Sequence, residues 1–331
     1  MKREKKLIAL ALVVFALAGT IAGCASSEVD IHTPGLADTL DETVEIDLAL
    51  EMVPLTESPA MFDTPTAPGT LARSNSKAII DYSNSANGYV MIKYKNTSTK
   101  QLKVIITGPS GEKYTYNLSM NAEYVVYPLS DGNGSYSIGV YENIEGNRYS
   151  TALTHNVTVR LNDEFAPFLR PNQYVNFNAN SQTVAKAAEL VEEAEDLLGE
   201  DGKISAIYNY VVRNLTYDRE RARTVQSGYL HDVDDVLEKG KGICFDYAAV
   251  MAAMLRSQQI PTRLVVGYAG SAYHAWIDVW SEEEGWINNV IEFAGDEWKL
   301  MDPTFASSGG QSSAVMQYIG TGSNYNAKYL Y

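Results

Sequence analysis

The sequence is poor in cysteine and in basic residues, and it lacks the spacings of common metal sites. Its 331 residues, 45% of them hydrophobic, suit a globular protein of two domains but include only two cysteines, Cys24 and Cys244, which argues against a disulfide-stapled fold. Asp and Glu total 41 against 26 Lys and Arg, so the net charge of −15 argues against binding of nucleic acid. No HExxH or CxxC pattern occurs and the four histidines are scattered. The sequence therefore predicts no zinc site and no cofactor.

No apolar run near the start is long enough to cross a membrane. A basic stretch, Lys2–Lys6, precedes the apolar residues Leu7–Ala18, which are too few to span a hydrocarbon core of roughly 30 Å but are typical of a signal peptide. The run ends in Ile21–Cys24, which resembles the bacterial lipobox. We expect residues 1–23 to be a signal peptide and Cys24 to carry a lipid that anchors the protein to the outward face of a bacterial cell membrane, extracellular or periplasmic. The alternative is an ordinary secretory cleavage site.

An acidic segment follows. Residues 25–72 contain ten carboxylates, no lysine or arginine, and five of the chain's eleven prolines. Because like charges repel and proline interrupts regular structure, we interpret residues 24–76 as an extended tether.

Residues 77–161 alternate apolar and polar residues with a period of two, as strands with one buried face do. Turn-forming sequences at Ser85–Gly88, Gly108–Gly111 and Asp131–Gly134 separate the runs. About seven short strands of this kind predict an immunoglobulin- or fibronectin-like β-sandwich. The apolar positions are Val90, Ile92, Tyr94, Leu102, Val104, Ile106, Tyr114, Tyr116, Leu118, Tyr136, Ile138, Val140, Val157, Val159 and Leu161.

One segment of this region partly matches a calcium-binding loop. Asp131, Asn133, Ser135 and Glu142 stand at ligand positions of that pattern. Tyr136, however, occupies the position that needs glycine, and the residues after it predict a strand instead of a helix. We therefore favour a hairpin turn over a calcium site.

The pattern becomes helical near Ser181. Apolar residues recur at helical spacing from Ala185 to Leu197, and a second helical stretch covers Ile204–Leu215. Asp232–Leu237 predicts a short helix that Gly240 ends.

Cys244 stands where a tight turn enters an apolar helix. The sequence Gly240–Tyr247 leads directly into the alanine-rich run Ala248–Leu255, so the cysteine falls in the first turn. There, unpaired backbone N–H groups and the helix dipole stabilise a thiolate, and the same groups can hold an oxyanion. From this feature alone, a small buried hydrophobic side chain is an equally good interpretation.

Two predicted strands follow the cysteine, and a later short run ends in an aspartate. In the predicted strand Tyr273–Trp280, His274, Trp276 and Asp278 share one face. Further on, Asp302 ends a short run just before a proline.

These segments together resemble the transglutaminase-like superfamily over roughly residues 180–305. The matching residues are Gly242–Ala248, Ile260–Tyr268, Tyr273–Trp276 and Trp298–Thr304. The resemblance implies an α+β, papain-like core of helices and antiparallel sheet over residues 172–331, preceded here by the β-sandwich of residues 77–161.

The resemblance also implies a catalytic triad ordered Cys, His, Asp along the chain. Cys244 would be the nucleophile, His274 its base and Asp302 the group that orients the imidazole. Tyr217, shortly upstream in the core, is a candidate oxyanion donor. The expected activity is acyl transfer from, or hydrolysis of, a protein or peptide substrate, and the alternative is a non-catalytic binding or scaffold protein that retains the fold.

Overall fold

The computed structural model describes residues 62–282, 285–288, 292–294, 297–299 and 325–331. The predicted signal peptide, Cys24, most of the tether and Asp302 lie outside these residues. Within the described ranges, no helix combines the length and the apolar character that crossing a bilayer requires.

The N-terminal half of the described chain consists of two antiparallel four-stranded sheets. The first has the strand order β1-β2-β3-β6 and the second β5-β4-β7-β8. Residues that point inward from both sheets, such as Ile92 and Ile106, are buried in a common core. The strands are β1 Ala72–Ser74, β2 Ala78–Asp81, β3 Tyr89–Tyr94, β4 Leu102–Thr107, β5 Lys113–Asn117, β6 Val125–Pro128, β7 Gly134–Glu145 and β8 Arg148–Val159.

The predicted apolar positions fall in β3, β4, β5, β7 and β8 or within two residues of their ends, so the prediction of strands is confirmed for these five. The predicted hairpin at residues 131–134 is wrong, because β6 and β7 belong to different sheets and this turn connects them. The end of the predicted tether also differs from an extended spacer. β1 pairs with β2, and the backbone N–H of Gly69 donates to Asp81 at 2.6 Å, so this part of the acidic segment is held against the sheet.

Glu142 of β7 makes three hydrogen bonds, one of which reaches Tyr94 of β3 in the other sheet. Its carboxylate accepts from Lys77 at 2.7 Å, Lys100 at 2.8 Å and the hydroxyl of Tyr94 at 2.7 Å. The Lys100, Lys77 and Tyr94 hydrogen bonds lower the pKa of Glu142 from 4.5 to about 2. The acidic end of the calcium-loop pattern is thus paired with lysines.

Because the folded-state pKa of Glu142 is depressed, its stabilisation is present above pH 4.5 and lost as the pH falls towards 2. We expect Glu142→Gln to lower the free energy of unfolding by about 1–2 kcal/mol at neutral pH. This is less than the free energy that corresponds to the full pKa shift, because both lysines are half exposed and solvent screens their charges. Urea unfolding at several pH values tests this. The curves for the two proteins should converge below pH 4.5, and parallel curves would contradict the assignment.

The C-terminal half combines helices with a mixed set of strands. A four-stranded antiparallel sheet has the order β13-β12-β11-β16, and α4 packs across β11 and β12 as well as against α1 and α3. The predicted α+β class is thus confirmed for this half. The elements are α1 Gln182–Asn214, β9 Thr216–Tyr217, α2 Arg219–Thr224, α3 Val233–Lys239, β10 Lys241–Gly242, α4 Cys244–Ser257, β11 Thr262–Ala269, β12 Ala272–Ser281, β13 Gly285–Ile287, β14 Glu292–Ala294, β15 Glu297–Lys299 and β16 Tyr325–Leu330.

Helix α1 corrects one prediction and α3 confirms another. Instead of two helices, residues 182–214 form one of 33 residues that continues through Gly199 and Gly202. Each glycine costs about 1 kcal/mol in a helix, but apolar residues on both sides of them are buried in the same core, which outweighs that cost. Helix α3 begins after Asp232, whose carboxylate accepts from two backbone N–H groups, and ends at Gly240 with a φ of 57°.

A cluster of tyrosines joins the two halves. Tyr116 of β5 is fully buried and lies 5.0 Å from Tyr127, 5.7 Å from Tyr174 and 5.8 Å from Tyr331, measured between ring centroids. Tyr331 follows β16, and its backbone N–H and carbonyl both bond to Leu264. The C-terminal residues thus complete the sheet and reach the interface between the halves.

Candidate active site

Two short parallel strands place Tyr217 beside the turn that carries Cys244. Tyr217 of β9 is the register partner of Gly242 of β10. The backbone N–H of Asp218 donates to the carbonyl of Gly242 at 2.8 Å, and Thr216 bonds to Gly240 in the same way. The end of α1 and the start of α4 are therefore held together, two residues before the cysteine.

Cys244 is the first residue of α4 and is partly exposed. The residues that follow, Asp246–Ser257, are all buried, so the core fixes the helix that carries the thiol. The first-turn N–H groups have no partner within the helix and favour negative charge. This arrangement confirms the predicted position of Cys244 in the first turn of a buried helix.

Asp246 is the centre of a polar cluster behind this turn. Its side chain is fully buried, and one oxygen accepts the backbone N–H of Ile243 at 2.8 Å. The other oxygen accepts the hydroxyl of Tyr229 at 3.0 Å, and Arg221 Nη1 lies 3.8 Å from the oxygen that accepts from Ile243. The Nδ1 atom of His231 is 3.4 Å from the carboxylate, within ion-pair distance but without hydrogen-bond geometry. The cluster ties α2 and the segment before α3 to the start of α4.

The protonation of Tyr229 follows from its surroundings. Burial, followed by the negative charge of Asp246, raises the pKa of Tyr229 to about 12. The phenol therefore keeps its proton, donates to Asp246 and accepts from Arg221 at 2.8 Å. The sequence did not identify Tyr229, His231 and Arg221, because nothing in their spacing marks them as neighbours of one carboxylate.

A glycine is required at the turn itself. A Cβ atom on Gly242 would lie 2.6 Å from the Cβ of Asp246 and 3.0 Å from its Oδ2. Since the Asp246 side chain is held by several partners, it has no room to move aside. Gly242 thus allows the buried carboxylate to approach the backbone just before Cys244.

We expect Asp246→Asn to lower the free energy of unfolding by about 2–3 kcal/mol. The substitution removes a buried negative charge that lies within ion-pair distance of Arg221 and His231. Asp235→Asn is the matched control: Asp235 pairs with Lys239 on an exposed helix face, where such a pair contributes about 0.5 kcal/mol. Chemical denaturation of both variants measures the difference, and equal losses would contradict a structural role for the cluster.

His274 lies on β12 opposite Gly267 and is 8% exposed. Its ring stacks on Trp276 with centroids 6.2 Å apart, as expected for residues on one strand face. Tyr325 of β16 lies 6.4 Å from the His274 ring and packs edge-on against Trp276 at 5.1 Å. No pattern in the sequence identified Tyr325, since its strand joins the sheet from the far end of the chain.

Partial burial, followed by the charges of groups that include Tyr329, Tyr268 and Cys244, raises the pKa of Tyr273, the residue before His274. The strand that carries both residues packs against α4, the helix that begins at Cys244. Asp302 lies outside the described residues, so the complete triad stays a prediction.

Asp278 lies on the same strand face as His274 and is the register partner of Arg263. Burial lowers the pKa of Arg263, and the charge of Asp278 opposes that shift. The guanidinium also lies 3.5 Å from the ring centroid of Trp286. Asp278 therefore has a structural partner of its own across the sheet.

A family model described as the transglutaminase-like superfamily matches residues 184–289, which include Cys244 and His274. These residues form a transglutaminase-like domain. In the part of the chain that the structure describes, no group of three or more His, Cys, Asp or Glu side chains is arranged to hold a metal ion.

Two curated relatives match part of the chain. A protein-glutamine gamma-glutamyltransferase of Pseudomonas aeruginosa is 37% identical over 71 residues, 17% of this chain and 11% of that protein. The uncharacterized protein YebA of Bacillus subtilis is 30% identical over 105 residues, 26% of this chain and 14% of that protein. The chain thus spans a small fraction of the length of either relative.

Two solved structures are similar over a larger share of the chain. A candidate cysteine protease from Cytophaga hutchinsonii is 17% identical with a TM-score of 0.33, covering 71% of this chain and 79% of that one. Red sea bream transglutaminase is 13% identical with a TM-score of 0.27, covering 65% and 48%.

Proposed function

We propose that the chain is a thiol acyltransferase or hydrolase that acts on protein or peptide substrates through a thioester on Cys244. The observation that carries this proposal is a partly exposed cysteine in the first turn of a buried helix, within a transglutaminase-like domain. A helix N-terminus favours the thiolate, which is the reactive form.

In this mechanism His274 takes the proton of Cys244, and the thiolate attacks the carbonyl carbon of a glutamine side chain or a peptide bond. The tetrahedral intermediate collapses when the imidazolium protonates the leaving nitrogen, so the C–N bond breaks and a thioester forms. An amine or a water molecule, deprotonated by His274, then attacks the thioester and releases the thiol. Asp302 orients the imidazole and stabilises its charged form.

Two groups support the negative oxygen of the intermediate. The first-turn N–H groups of α4 are available because they have no partner within the helix. Tyr217 is the second candidate, since its register pairing with Gly242 brings it beside the same turn. Its hydroxyl would donate to the oxyanion.

The acyl acceptor decides between cross-linking and hydrolysis. One relative is named as a glutamyltransferase, which favours an amine, and one similar structure as a candidate protease, which favours water. Incubation of the full chain with glutamine-containing peptides, with and without a primary amine, separates the two by product mass. Amine-coupled peptide indicates transamidation, and acid product or cleavage indicates hydrolysis. If neither forms, the proposal is overturned in favour of a non-catalytic binding protein.

The surrounding parts of the chain have roles of their own in this proposal. The two sheets of residues 72–159 act as an immunoglobulin- or fibronectin-like spacer, supported by their two antiparallel layers around one core. The acidic segment and a lipid on Cys24 hold the protein to the outward face of the cell membrane, supported by the lipobox-like Ile21–Cys24.

Membrane retention should then depend on Cys24. Because the apolar residues Leu7–Ala18 are too few to span a bilayer, we expect Cys24→Ala to release the protein or leave it unprocessed. Fractionation of cells followed by mass analysis of the N-terminus measures both results. A variant that is still processed and still membrane-bound would overturn the lipid anchor.

A further inference from the structure

A cleft separate from the candidate active site lies between the sheet half of the chain and the segment that leads into α1. Its volume is about 620 Å³, within the range of small-molecule sites. The walls are the β5–β6 connection, the first residues of β6, residues 171–178 and residues 62–65. None of the lining residues belongs to α4, β11 or β12, so Cys244 and His274 take no part in it.

The lining of this cleft carries no charged side chain, although 20% of the chain's residues are charged. An anionic or cationic ligand would be left without a countercharge there, which argues against phosphates, carboxylates and amines. The polar side chains of the lining are uncharged, and most of them are amides. The amide side chains that line the cleft are Asn117, Asn121, Asn172, Gln173, Asn176 and Asn178.

Asn172 holds an unused donor at this cleft. The residue is 4% exposed, and its Oδ1 accepts the backbone N–H groups of Tyr174 at 2.9 Å and Val175 at 3.0 Å. Those two donors fix the orientation of the amide, because only the oxygen can accept them. The Nδ2 group has no protein partner in the described chain. A buried donor left unpaired costs about 1–3 kcal/mol, which a ligand with an acceptor oxygen would recover.

The remainder of the cleft offers apolar surface and further amides. Phe62 and Phe177 are buried and meet edge to face with centroids 4.8 Å apart, which gives the cleft a rigid apolar wall. Asn121 and Asn176 line the cleft and are exposed to solvent. A matching ligand therefore has neutral hydroxyl groups around an apolar face.

We propose that this cleft binds a neutral oligosaccharide. Amide groups donate to and accept from sugar hydroxyls. The partly exposed side chains of Tyr124 and Pro65 in the lining offer apolar surface to the C–H face of a sugar ring. An extended peptide fits less well. It would pair with the edge strand β6, which has four residues and ends at Pro128, a residue without an N–H group.

Calorimetric titration of the full chain with N,N′,N″-triacetylchitotriose, maltotriose and cellotriose tests the proposal. A capped neutral peptide of glycine, serine and alanine serves as the competing ligand class. Asn172→Asp keeps the acceptor oxygen that the turn needs and removes the free donor, and Asn176→Ala removes an amide at the rim. The matched control is Asn96→Ala, an exposed amide outside the cleft. Thermal unfolding checks that the variants are folded.

We expect at least one trisaccharide to bind saturably, each cleft variant to weaken that binding about tenfold, and Asn96→Ala to leave it unchanged. Asn176→Ala keeps the test decisive if Asn172→Asp unfolds. The proposal is overturned if no trisaccharide binds saturably, if the folded cleft variants bind as tightly as the wild type, or if only the peptide binds.

Discussion

Cys244→Ala should abolish acyl transfer, with a loss of about 10⁴-fold or more, while the protein stays folded. The loss is large because no other group of the site can form the thioester. The fold survives because the thiol is only partly buried and alanine is the best helix former at this position. Turnover of a glutamine peptide and the thermal unfolding midpoint measure the two results.

The second cysteine provides the control. Cys24→Ala, assayed as purified protein in solution, should keep wild-type turnover, because its proposed role is anchoring. Full activity in Cys244→Ala, or equal losses in both variants, would mean that the thiol chemistry does not take place at α4.

The second large effect distinguishes the roles of two aspartates, Asp302 and Asp278. Asp302→Asn should reduce turnover by about 10³–10⁴-fold, because an asparagine leaves the imidazole in the wrong tautomer and does not stabilise its charged form. Asp278→Asn should reduce turnover by less than about tenfold. Four residues along a strand span about 13 Å, too far for a hydrogen bond from Asp278 to His274.

The structure strengthens this contrast, since Asp278 faces Arg263 across the sheet. Its replacement should therefore appear chiefly as a loss of stability, which denaturant unfolding measures alongside turnover. A damaging Asp278→Asn with a nearly silent Asp302→Asn would transfer the orienting role to Asp278.

Local patterns in the sequence predicted most of the local structure. Alternation identified five strands of the two sheets, and the Gly-Lys-Gly turn before an alanine-rich run identified the start of α4. Asp232 and Gly240 marked the ends of α3 because capping depends only on nearby backbone groups.

Features that depend on distant packing were missed. The sequence predicted two helical stretches where the structure has the single helix α1, which burial on both sides of its glycines keeps continuous. The convergence of Arg221, Tyr229 and His231 on Asp246, and the position of Tyr325 beside His274, join segments far apart in the chain. No local pattern in the sequence encodes such contacts, so the residues that support the site could be identified only from the structure.

Mass analysis of the trapped intermediate tests the central claim most directly. The full chain is mixed with an activated acyl peptide, quenched in acid and digested, and the modified residue is located by fragmentation. We expect one acyl group on Cys244 in the wild type and in Cys24→Ala, none in Cys244→Ala, and loss of the group when an amine or water is given time to react. An acyl group on another residue, or no adduct in the wild type, would contradict it.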